Sequence, residues 1–135
     1  MHHFHMLDVR GTIRATIKSP PAEDPDKDKI LNPLGIASRY QFDLEDFESD
    51  IAAGYVNISK EEYNHFGLTQ KDLHNISAPN IKNWFRHRAE EGMTLLEEYH
   101  RRLPEGNFSL LARTTFPLVY EFPASKVFRQ VLSEK

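Results

Sequence analysis

Tyr40, Leu44, Phe47 and Ile51 recur at intervals of four, three and four residues, the spacing that places side chains on one stripe of an α-helix. The same period returns in Ile81, Trp84, Phe85, Leu96, Tyr99 and Leu103, and again in Val127, Phe128, Val131 and Leu132. A chain that keeps this period can bury its apolar stripes only by packing helix against helix. The expected fold class is all-α, preceded by an irregular N-terminal arm.

The punctuation between stripes sets the element order. Gly54 suits the left-handed stop of a first helix, and residues 55–58 read as a short extended link. Ser59 and Glu62 have capping-box spacing for a short helix ending at Gly67, and Thr69 and Asp72 repeat the device. After a loop over residues 75–79, Asn80 is the expected cap of the longest helix. It runs to about Leu103 and is stopped by Pro104 and Gly106, with Gly92 as a weak point inside it. A further helix from near Asn107 meets Pro117, where a kink is expected. Pro123 opens the last helix.

The N-terminal part lacks this pattern. Residues 9–17 alternate weakly and are rich in β-branched side chains, as in a short strand or extended arm. Residues 19–29 carry three prolines and six charges with no apolar side chain larger than alanine, which reads as a solvated linker. The expected division is an arm and linker over residues 1–34 and a helical region over residues 35–135.

Composition narrows the function. A length of 135 residues suits one compact domain. The net charge of −3 and pI near 6.1 give no whole-chain attraction to nucleic acid or anionic membranes. With no cysteine, disulfides, thiol catalysis and cysteine-ligated zinc are excluded. The first ten residues hold no apolar run of signal-peptide type and no stretch is long enough to cross a bilayer. The expected location is the cytoplasm, with peripheral membrane contact at most.

The densest chemical signal is the run from Asp43 to Asp50, DLEDFESD. On one helix, residues three and four apart share a face, so Asp43, Asp46 and Asp50 are expected to form a carboxylate row beside the apolar stripe. Crowded carboxylates favour a neutralising cation, and Mg²⁺ takes one or two carboxylates together with substrate phosphates. The plain alternative is a solvated acidic helix face.

The surrounding residues resemble the second aspartate-rich region of squalene/phytoene synthases. Gly35, Ala37, Asp46, Asp50, Gly54, Glu62, Phe66 and Gly67 fall in that family's register without a gap. The later Trp84-to-Leu103 stretch resembles the family's alanine–glutamate-rich helix that ends in a leucine-proline turn. The likeness covers residues 35–132.

The resemblance implies an isoprenoid-synthase type of helical fold and head-to-head condensation of prenyl diphosphates. It also implies Mg²⁺ as cofactor, held by Asp46 and Asp50. The sequence departs from the family at Arg39, Phe42, Glu45, Asn57 and Ser59, and Glu45 stands where the family has a phosphate-binding arginine. Residues 1–34 hold no second D-x-x-x-D motif. The expectation is a C-terminal half, inactive alone, that needs a complementary half or forms a homo-oligomer. The alternative is a non-catalytic helical remnant or interaction module, whose uncovered apolar face would favour self-association.

Other signals weigh less. Residues 83–88, NWFRHR, superficially resemble a homeodomain recognition helix. His87 and Ala89 replace its asparagine and second arginine, and no basic arm flanks it, so nucleic acid is not an expected partner. Trp84 and Phe85 read as core, with Arg86 and Arg88 on the helix flank. His2, His3 and His5 could bind a transition metal but are more simply incidental or left from a tag. Arg101 and Arg102 suit the negative end of the long helix. Tyr120 and Arg129 could line a prenyl pocket or be ordinary helix residues.

Overall fold

The computed structural model describes residues 25–134 of the chain. Its first helix, α1 (Pro25–Glu45), is followed by α2 (Phe47–Ala52), α3 (Lys60–Phe66) and α4 (Gln70–Leu73). The long α5 (Pro79–Arg102) passes through a 3₁₀ turn (Leu103–Gly106) to α6 (Leu110–Phe116). A π turn (Pro117–Glu121) then joins α6 to α7 (Phe122–Ser133). Among the described residues there is no strand; the expected extended segment at residues 9–17 lies outside them.

α1 and α5 run antiparallel, and the α6–α7 rod returns along both, so three long elements pack around one core. Trp84, Tyr99, Phe116, Phe128, Ile30, Leu34 and Ile81 are its largest fully buried side chains. Residues 25–29, expected to end a linker, are already helical, and they are followed by Ile30, Leu31 and Leu34, all buried. Their packing also holds Pro33 inside the helix, where proline alone would cost about 3 kcal/mol. The arm-and-linker boundary expected at residue 34 therefore falls inside α1.

Both capping boxes form. The Ser59 amide donates to Glu62 Oε1 at 2.9 Å and the Glu62 amide to Ser59 Oγ at 3.1 Å. Thr69 and Asp72 exchange the same two bonds. Gly67 ends α3 in the left-handed region at φ 62°, where a Cβ is strained. Asn80 has a different role from the expected cap. α5 starts at Pro79, and the Asn80 amide group donates to the Gly67 carbonyl at 3.1 Å, tying α5 to the end of α3.

Gly92 is a point of closest approach. A Cβ there would lie 2.3 Å from the Phe128 ring, so the glycine lets α7 seat its phenylalanine directly on the α5 backbone. On the same rod Ala112, Phe116, Tyr120, Ala124 and Phe128 face inward at intervals of four. In a regular α-helix residues four apart drift about 40° per step. The π turn, closed by the Phe122 amide on the Pro117 carbonyl, takes back part of that drift and keeps the five on the core side.

Candidate functional site

Asp43, Asp46 and Asp50 do not form one row. Asp43 is 2% exposed, whereas Asp46 and Asp50 are half-buried at the margin of the apolar stripe. The division arises at Asp46, where α1 gives way to α2. Its backbone sits at φ −99°, ψ 11°, in the sparsely occupied bridge region. Hydrogen bonding nevertheless continues through the junction: the Asp46 amide donates to the Phe42 carbonyl at 2.9 Å and the Asp50 amide to the Asp46 carbonyl at 2.8 Å. Asp46 and Asp50 therefore remain one helical turn apart on a shared side.

Phe47 fixes the orientation of that side. Its ring packs against Trp84 at 5.4 Å and Phe85 at 5.0 Å between centroids, anchoring α2 on the first turns of α5. Although Asp46 holds the cap position of α2, its carboxylate makes no capping bond. Ser49 Oγ instead donates to the Asp46 carbonyl at 3.0 Å. Glu45 accepts from Gln41 Nε2 at 2.6 Å.

Asp43 faces Arg88, which is 5% exposed. Arg88 Nη1 donates to Asp43 Oδ2 at 2.6 Å, and Nη2 donates to both oxygens of Glu62, at 3.0 and 2.8 Å. Trp84 Nε1 also donates to Glu62, at 2.8 Å. The guanidinium carbon lies 4.4 Å from the Tyr40 ring centre and 4.8 Å from that of Trp84, so two aromatic faces add cation–π attraction. Arg88 is thus a buried hub tying α1, α3 and α5 together, not the flank residue expected. A guanidinium is buried this way only when carboxylates compensate it. It is also withdrawn from any nucleic-acid groove.

Glu62 serves its own capping box and Arg88 at once. Burial pushes its carboxyl pKa up, but the Ser59 amide, the Arg88 guanidinium and the Trp84 indole outweigh burial and hold it below the usual value. Tyr40 is shifted upward, chiefly by burial, with Arg88 opposing. Both carboxylates of the hub are therefore structural.

The remaining expected residues scatter. Tyr120 lies in the core, while Arg129 lines a groove on α5 and α7 with Met93, His100, Glu121 and Ser125. Tyr99 is fully buried beneath that end of α5, its hydroxyl pKa raised by burial and by Glu121. Arg101 and Arg102 occupy the last turn of α5. His2, His3 and His5 lie outside the described residues. Among the described residues no three His, Asp or Glu side chains are arranged to hold a metal by themselves. No helix of the described part is long and apolar enough to cross a membrane.

Comparison with protein-family models, curated proteins and solved structures finds no match to this chain.

Proposed function

We propose that this chain is a squalene/phytoene synthase-like half-site, in which Asp46 and Asp50 hold Mg²⁺ against the diphosphate of a prenyl substrate. One observation carries the reading: the two aspartates keep one-turn spacing on a partly open side of α2, while the third acid of the run is buried against Arg88. Hard carboxylate oxygens at that spacing fit Mg²⁺, which would complete its shell from phosphate oxygens and water. The bound ion would supply Lewis-acid stabilisation of the departing diphosphate.

What the chain's own residues do is narrower. Phe47, wedged between Trp84 and Phe85, orients the acidic turn. Arg88 binds both Asp43 and Glu62, so those two carboxylates are engaged in the fold, while Asp46 and Asp50 sit half-buried beside the exposed Glu45 and Glu48. Glu45 in place of an arginine removes a phosphate anchor, so a complementary half, or a second copy, would have to supply cationic contacts and the rest of a prenyl pocket. Calorimetric titration of Mg²⁺ with a non-hydrolysable prenyl diphosphate tests this directly. Binding that disappears in Asp46→Asn/Asp50→Asn supports the reading, and no metal-dependent binding by the folded protein rejects it.

A second reading, a helical interaction module without chemistry, is favoured by a different observation. Leu110, Leu111, Leu118, Val119 and Phe122 are all more than half exposed on the α6–α7 rod, and such an apolar surface calls for a cover.

A further inference from the structure

The first two turns of α5, the loop before it and the end of α7 border a cavity of about 380 Å³, within the size range of small-molecule sites. Ile76, Pro79, Phe85 and Val131 give it apolar walls, and Lys82, Asn83, Arg86 and Glu134 supply the polar groups.

Each wall is held in place by contacts of its own. The Phe85 ring meets Phe47 and Trp84 edge-on, at 5.0 and 5.5 Å between centroids. In the loop, the Ser77 amide donates to Asn75 Oδ1 at 3.1 Å and the Ala78 amide to the Asn75 carbonyl at 3.0 Å, which fixes the turn that carries Ile76. Arg86 Nη1 donates to the carbonyls of Leu132 and Glu134, at 3.4 and 2.8 Å, and so pins the end of α7 to α5. Walls tied down in this way leave little ordering cost to oppose binding.

Charge decides what fits. Lys82 has Ala78, Pro79, Phe85 and Arg86 at the positions three and four residues away, so no acid on its own helix can pair with it. Among the described residues its ammonium makes no ion pair. Two cations, Lys82 and Arg86, line the cavity against one acid, Glu134. Arg86 is committed to its two carbonyls, so Lys82 is the cation left for a ligand, with the Asn83 amide group as a second donor. One ammonium beside apolar walls matches a ligand with a single negative charge and an apolar body.

We infer that this cavity binds an apolar monocarboxylate of the fatty-acid type, its carboxylate on Lys82 and Asn83 and its hydrocarbon against Ile76, Phe85 and Val131. The site uses no metal, and the inference does not rest on the diphosphate reading.

Decanoate is the probe, titrated into the isotope-labelled full chain while amide signals are followed by NMR, with decanol as the uncharged counterpart. The expected result is saturable shifts centred on residues 76–86 and 131–134. Decanol is expected to bind about tenfold more weakly, the loss of one charge-assisted contact. Lys82→Met, at an exposed position, is expected to weaken decanoate about tenfold and to leave decanol unchanged. Ile76→Glu, at a position 43% exposed, is expected to abolish both. Equal affinity for decanoate and decanol, or an unaltered decanoate affinity in Lys82→Met, overturns the inference. Shifts centred on the exposed Leu118–Phe122 surface, or none at all, also overturn it. Shifts of the cavity residues on raising protein concentration without decanoate assign the cavity to a second copy and overturn it as well.

Discussion

Arg88 Nη1 and Asp43 Oδ2 stand 2.6 Å apart, joining helices whose partners are 45 residues apart in sequence. Both side chains are almost fully buried, at 7% and 0% exposure. The pair makes Asp43 a buried structural acid, whereas Asp46 and Asp50 stay half-buried.

Removing Arg88 strands a buried carboxylate. Arg88→Met is expected to destabilise the fold by about 3–5 kcal/mol, the range for breaking one side of a buried pair. Replacing both partners, as Arg88→Met/Asp43→Leu, is expected to recover part of that loss, because the fully buried carboxylate is removed with the guanidinium and only the part-exposed Glu62 is left without its cation. Urea unfolding of the single and double variants gives the comparison. A cost under about 1 kcal/mol for Arg88→Met, the range of an exposed pair, would contradict the hub.

Glu62 makes stability depend on acid pH. Its folded pKa lies below the reference value of 4.5, so the folded state prefers the ionised carboxylate more strongly than the unfolded state does. The contribution is complete above that reference value and is lost as pH falls through the lower folded pKa. Glu62→Gln is therefore expected to show its largest stability deficit near neutrality and a shrinking one as pH drops below 4.5. Thermal melts at several pH values test the sign; a deficit that grows on acidification would refute it.

Gly92 tests the seating of α7. In an exposed helix interior, glycine to alanine gains about 1 kcal/mol. Here the added methyl would meet the Phe128 ring, and overpacking of this kind costs about 1–3 kcal/mol. Gly92→Ala is expected to lower stability, and Phe128→Leu, which removes the obstructing ring, is expected to make the same alanine favourable. A stabilised Gly92→Ala in the otherwise unchanged protein would mean that α7 sits farther from α5.

Much of the fold is legible from residue spacing. The stripe from Tyr40 to Ile51, the two capping boxes, the stop at Gly67 and the irregular turn beginning at Pro117 follow from rules that act within a few residues. The start of α1 is not legible in the same way, because its first turn has linker composition and only the later packing of Ile30, Leu31 and Leu34 makes it helical.

The Arg88 hub depends on contact between distant segments, yet it leaves a trace. Asp43 is three residues after Tyr40 and four before Phe47, and Arg88 lies four from both Trp84 and Gly92. Each charge therefore interrupts an apolar stripe, a pattern that requires an internal partner. Reading Asp43 as part of an open acidic face overlooked that requirement. The function of Asp46 and Asp50 rests on register with a resembled family, which backbone geometry accommodates but does not itself supply.

The most direct test of the diphosphate reading is where a metal binds. Mn²⁺, which accepts the same hard oxygen ligands as Mg²⁺, is added with a prenyl diphosphate analogue to the isotope-labelled protein, and paramagnetic broadening of amide signals is mapped. The account predicts broadening centred on residues 46–50 that requires the analogue and disappears in Asp46→Asn/Asp50→Asn. Broadening centred elsewhere, or none in the presence of both metal and analogue, would contradict it.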